Sequence, residues 1–206
     1  MKELECFRQE CRAFFEGLDK EKYHPLVFGE GPEEKPVLML IGEAPGEQEA
    51  LHGRPFVGKA GKNLDAFLEA VHLNREEIYI SNVVKIRPSK ISAAGRVVNR
   101  PPSKEEKVLF APWLMREIAL VKPMALVTLG NVALQTFVED TIGNRHGRWT
   151  KTTVQTPEGE TMEMPLFALY HPASVIYNRS LKDTYDADLI TLAETLSART
   201  DSEKDI

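Results

Sequence analysis

Apolar residues along this chain fall into short continuous runs and into stretches of helical spacing, and the two alternate. Val37-Leu38-Met39-Leu40-Ile41-Gly42 is continuous and ends at glycine, which predicts a buried parallel strand. A loop rich in Gly and Pro follows. Then, from Gly61 to Val71, Leu64, Phe67, Leu68 and Val71 recur as one face of a helix. Ile78 to Val84 predicts a second strand, and Pro88 to Pro102 an irregular segment. Ser103 with Glu106 three residues later is a capping box, opening a helix that runs to about Val121. Ala125 to Gly130 reads as a third strand and Asn131 to Val138 as a short helix. Gly143 to Gly159 is a loop with room for a hairpin. Leu166 to Leu169 makes a fourth strand, and Lys182 to Leu196 the final helix.

Four apolar strands separated by helices predict an α/β fold, a three-layer α/β/α arrangement around a central four-stranded parallel sheet. No repeat or linker divides the chain, so residues 1–206 read as one domain. Residues 1–35 form an N-terminal helical extension and 199–206 a frayed tail. Such sheets bind ligands beyond the carboxyl ends of their strands. The unusual residues gather there: Gly42-Glu43-Ala44-Pro45-Gly46, Asn82, Gly130-Asn131 and His171-Pro172-Ala173-Ser174.

Composition narrows the class. With 206 residues, 42% hydrophobic and 28% charged, a mainly disordered chain is excluded. No apolar run reaches the roughly 18 residues of a membrane span, and the charged N-terminus lacks the apolar core of a secretion signal. The expectation is a cytoplasmic monomer without membrane contact. Cys6 and Cys11 are too few for a disulfide framework or a four-thiolate site. The net charge of −5 argues against a generally basic nucleic-acid binder, but its distribution is uneven. Residues 183–206 carry seven acids and two bases, so the preceding residues balance at zero. Lys85 to Lys104 holds six bases and no acid, and Thr141 to Pro157 holds Arg145, Arg148 and Lys151 and no acid. These stretches suit either phosphates or plain solvated loops.

Several motifs fall away. Gly53-Arg54-Pro55-Phe56-Val57-Gly58-Lys59-Ala60 nearly spells a phosphate-binding loop, but Ala60 lacks the hydroxyl that holds magnesium. The five histidines are scattered without metal-ligand spacing, and both cysteines precede the fold core. Glu43, Glu49, Phe56, Asn82 and His171 remain, each at or near the sheet's active edge. Singly, each has a structural alternative: a helix-end carboxylate, a core ring, a turn cap, a buried imidazole.

Together, Gly42-Glu43-Ala44-Pro45-Gly46, Gly53 to Gly61, Asn82-Val83-Val84-Lys85 and His171-Pro172-Ala173-Ser174 resemble the uracil-DNA glycosylase superfamily. The similarity is greatest to the thermostable iron–sulfur class, family 4, and runs from about Val27 to Asp188. It implies a uracil-DNA glycosylase-like fold and a DNA repair enzyme of base excision. Such an enzyme flips uracil out of DNA and hydrolyses its N-glycosidic bond, leaving an abasic site. By the same resemblance Phe56 stacks on the extruded base and Asn82 reads its edge, with Gly42 and Ala44 completing the substrate-binding set. His171 sits at uracil O2, Glu43 orients water or stabilises the sugar cation, and Glu49 is a second catalytic carboxylate. The glutamine-adjacent aspartate of family 1 is Ala44 here, which shifts water handling toward Glu43. Ser174 and the residues after it fit a loop entering the minor groove. Lys85, Arg87, Arg96, Asn99 and Arg100 are the remaining candidate DNA contacts.

Two departures stand out. Family 4 holds a four-iron, four-sulfur cluster on four cysteines. Here only Cys11 corresponds, with Ile86 and Phe110 apolar at matching places, so no cluster and no other cofactor is expected. A related class traps uracil-DNA covalently through a histidine ending a basic loop. Asn99 stands at that position, so trapping is not expected. The alternatives to uracil excision are an inactive uracil- or DNA-binding member of the superfamily and an enzyme for other deaminated bases.

Overall fold

The continuous apolar runs become strands covered on both faces. The computed structural model describes residues 2–204. Its strands are β1 (Leu38–Gly42), β2 (Ile78–Asn82), β3 (Ser89–Ile91), β4 (Val97–Asn99), β5 (Leu126–Leu129), β6 (Trp149–Gln155) and β7 (Thr161–Leu169). Five of them form one sheet in the order β2-β1-β5-β7-β6. β2, β1, β5 and β7 run parallel, while β6 pairs antiparallel with β7 at the edge. The chain adds strands to one side of β1 and then to the other, so the crevice where a ligand fits opens beside the end of β1.

The helices are α1 (Lys2–Asp19), α2 (Glu47–His52), α3 (Lys59–Ala70), α4 (Lys104–Val121), α5 (Asn131–Leu134), α6 (Ile142–Arg145), α7 (Pro172–Tyr177) and α8 (Lys182–Lys204). Alternate residues of a strand point to opposite faces. Met39, Ile41 and Tyr79 therefore pack with α1 and α4, while Leu38, Leu40, Ile78 and Ile80 pack with α3 and α8. Helix α1 buries Leu4, Phe7, Cys11 and Phe15 along one stripe. Phe15 stacks on Phe110 of α4, with ring centroids 4.2 Å apart. The capping box of α4 is formed: the Ser103 side chain accepts from the Glu106 amide, and Glu106 accepts from the Ser103 amide.

Three expectations need correction. The four expected strands are present and parallel in an α/β fold, but β6 joins them antiparallel as a fifth and makes the sheet mixed. Strand β6, Trp-Thr-Lys-Thr-Thr-Val-Gln, carries the alternation of an edge strand, burying Thr152 and Val154 and exposing Lys151, Thr153 and Gln155. The glycines flanking it masked that signal. Second, the segment taken as irregular holds the antiparallel hairpin β3–β4, turned at Gly95 with φ +71°. Both strands are largely exposed, so no burial pattern marked them. Third, α8 continues as helix to Lys204, with no Gly or Pro to stop it. Residues 205 and 206, the end of the expected frayed tail, lie outside the described residues.

Candidate active site

Gly42 and Asn82 are ladder partners at the carboxyl ends of β1 and β2. A Cβ on Gly42 would lie 3.0 Å from the Phe56 ring and closer still to Asn82 Oδ1. Only glycine lets the aromatic ring and the amide share that corner. Asn82 as a residue is 3% exposed, and its side-chain amide, open to a cavity, has no hydrogen-bond partner among the described residues. It lines a cavity of about 500 Å³ together with Ala44, Glu49, Phe56, Asn99 and His171. A base that closes the cavity must match that amide, because leaving it unmatched there costs about 1–3 kcal/mol.

Phe56 has φ +53°, a left-handed conformation that side chains rarely adopt. The Glu49 carboxylate holds the turn. Oε1 accepts from the amides of Val57 and Gly58 at 3.1 and 2.9 Å, and Oε2 from that of Gly46 at 3.1 Å. One carboxylate thus fastens the loop after β1 to the loop that carries Phe56. All three donors are backbone amides, so the carboxylate expected in catalysis is also a strut of the cavity wall.

His171 caps α7. Its Nδ1 accepts from the Ala173 amide at 3.1 Å, so in the neutral ring the proton sits on Nε2. Burial pushes its pKa down, which favours that neutral form. Its ring faces that of Phe56 with centroids 6.4 Å apart and planes 28° from parallel. Glu43 stands between Gly42 and Ala44, but its carboxyl group is not part of the cavity wall. It is half-buried, has no side-chain hydrogen bond to any described residue, and burial raises its pKa, with Lys107 opposing.

The basic stretch divides. Lys85, expected on DNA, is fully buried and paired with Glu117, which corrects that assignment. Arg100 donates from both terminal nitrogens to Glu106 (2.7 and 2.6 Å), and that bond holds the Glu106 pKa down. Arg87 bonds Glu47 at 3.2 Å and Asn99 Oδ1 at 2.7 Å. That bond engages Asn99 Oδ1 and leaves its Nδ2 as the free end of an amide lining the cavity. Arg96 is exposed on the hairpin and Ser174 exposed on α7. Sequence reasoning missed Glu47, whose partner lies forty residues on, and no local pattern marks it.

The implied cluster can be tested against these residues. Cys11 is fully buried, and burial pushes its thiol pKa up to about 12. Phe15 stacked on Phe110, with buried Ile86, belongs to the same core as Cys11. The other cysteine, Cys6, is exposed. A cluster needs thiolates, and the donors present do not fit one.

A crevice at the end of β1 that pairs an aromatic face with an unsatisfied amide fits an enzyme that takes in a flat polar ring. The sequence model of the uracil DNA glycosylase superfamily matches residues 28–192, and the chain belongs to that superfamily. Within it, the chain is 34% identical to the type-4 uracil-DNA glycosylase of Archaeoglobus fulgidus over 191 residues, covering 89% of this chain and 87% of the relative. It is 33% identical to that of Saccharolobus solfataricus over 180 residues, 84% of this chain and 77% of the relative. With that of Pyrobaculum aerophilum it shares 34% over 187 residues, 88% and 90%. Among the described residues, no helix is long and apolar enough to cross a membrane.

Proposed function

We propose that the protein excises uracil from DNA by hydrolysing the N-glycosidic bond, leaving an abasic site for repair. The observation that carries this reading is the buried, unpartnered amide of Asn82 set beside the Phe56 ring. An extruded uracil lays its face on Phe56. Its N3–H donates to Asn82 Oδ1, and its O4 accepts from Asn82 Nδ2. Cytosine reverses donor and acceptor at both atoms, leaving buried groups unmatched at about 1–3 kcal/mol each.

Bond cleavage places negative charge on the leaving base and positive charge on the sugar. His171, neutral with its proton on Nε2, supplies a donor to the developing anion at O2 without giving up its bond from Ala173. Glu43, a carboxylate without an internal partner, orients the attacking water and offsets the sugar's charge. Asn99 and Arg96, brought by the hairpin, and Ser174 on α7 meet the DNA beside the pocket. The protein acts as a monomer, with uracil-containing DNA as its substrate.

The test is direct. An oligonucleotide with one uracil, incubated with the protein and then treated with alkali, should break at that position, while its cytosine counterpart stays whole. Intact uracil strands across a range of salt concentrations would overturn the reading. Tight uracil-dependent binding without breaks would replace it with the binding-protein alternative.

A further inference from the structure

Lys85 and Glu117 are both 0% exposed, and Lys85 Nζ lies 2.5 Å from Glu117 Oε2. The same ammonium donates to Ser81 Oγ at 2.6 Å and to the backbone carbonyl of Asn82 at 2.8 Å, which uses all three of its protons. Glu117 Oε2 also accepts from the Ser81 hydroxyl at 2.8 Å. Its Oε1 accepts from the Tyr79 hydroxyl at 3.0 Å and the Gly29 amide at 3.2 Å. The network is closed, and it joins β2, the turn after it, α4 and the segment before β1.

Burying two charges costs several kcal/mol per ion, and apolar replacements of a buried pair often hold a fold as well or better. This pair therefore contributes little to stability that packing could not supply. What packing cannot supply is a donor aimed at the Asn82 carbonyl, where the chain leaves the β1–β2 ladder. The amides of Val83 and Val84 bond back to the Gly42 and Glu43 carbonyls, so the same turn also ties in the loop after β1.

We infer that Lys85 and Glu117 are positioning residues for base selection. By holding the Asn82 peptide from below, they fix the direction in which its side-chain amide meets the base. The inference rests on the uracil-excision reading above, and its test separates the two.

The neutral double variant Lys85→Met/Glu117→Gln removes both charges while leaving partners for Ser81, Tyr79 and Gly29. It is to be compared with the parent in two measurements. The first is the ratio of uracil to cytosine release rates at saturating enzyme, expected to fall about tenfold or more, as for one misaligned buried hydrogen bond. The second needs no activity: the side-chain amide resonances of Asn82, assigned by their loss in Asn82→Ala, are expected to shift or broaden. A parent that releases no uracil overturns the functional reading, and the Asn82 resonances then decide the positioning role alone. A folded double variant with unchanged Asn82 resonances, or with the parental ratio, overturns the inference whatever its melting temperature. If the double variant does not fold, Lys85→Met alone in the parental background is read by the same two measurements. Unchanged values there overturn the inference as well.

Discussion

Two neighbouring residues of β2 lead into opposite kinds of buried polar site. Ser81 points toward α4 into the Lys85–Glu117 network, where every ionised group is met. Asn82 points to the other face, where its side-chain amide lines the cavity and has no internal partner. The contrast separates polar groups the fold satisfies for itself from those it leaves for a substrate. Removing a partner from the first should cost stability, and removing a member of the second should cost activity.

Lys85→Met alone should break this rule most visibly, because it strands the Glu117 charge. A loss of about 3–5 kcal/mol is expected in denaturant unfolding. Parental stability would mean that the closed network is not what it looks like. On the other side, His171→Ala should lower uracil release about a hundredfold, the size expected for one lost donor to a developing anion. Its effect on unfolding should be small by comparison, limited to the lost cap of α7.

Glu49 belongs with the satisfied groups although it lines the pocket. Glu49→Gln replaces a charged acceptor of three backbone amides, and about 1–3 kcal/mol of stability should go with it. Activity should fall too, because the left-handed Phe56 turn loses its fastening. If activity fell with stability unchanged, Glu49 would instead be a catalytic carboxylate. The smallest effect is in pH. Burial lowers the His171 pKa in the folded state below its ordinary 6.5, so the unfolded chain takes up the proton first. Its share of stability is complete above about pH 6.5 and lost as pH falls toward the depressed value. Comparing unfolding free energies of the parent and His171→Ala between pH 7.5 and 5 should show the steeper decline in the parent.

Much of this was legible because it is local. Apolar runs gave β1, β2, β5 and the end of β7, and Ser103 with Glu106 gave the start of α4. Strand ends placed Gly42, Asn82 and His171 at one edge of the sheet, and the resemblance to the glycosylase superfamily added Phe56. The pairing chemistry was not local and so was not legible. A lysine within a run of bases reads as solvated, and nothing near Lys85 announces Glu117, thirty-two residues on. Arg100 has its partner closer, but Glu106 had already been accounted for by the capping box it also completes. Glu49 was marked by resemblance as a carboxylate of the first loop, but its fastening role was hidden, because its three donors are backbone amides, which leave no trace in residue identity. Strand β6 was hidden for another reason: edge strands alternate polar and apolar residues, and threonine serves as both.

Base selection stands on the unmet amide of Asn82, and release rates from uracil- and cytosine-bearing oligonucleotides by the parent and by Asn82→Ala test it most directly. The parent should release uracil and retain cytosine. Asn82→Ala should release uracil about a hundredfold more slowly, the loss expected from two buried hydrogen bonds, with its unfolding midpoint kept. Parental rates in Asn82→Ala, or cytosine released by the parent as fast as uracil, would contradict it.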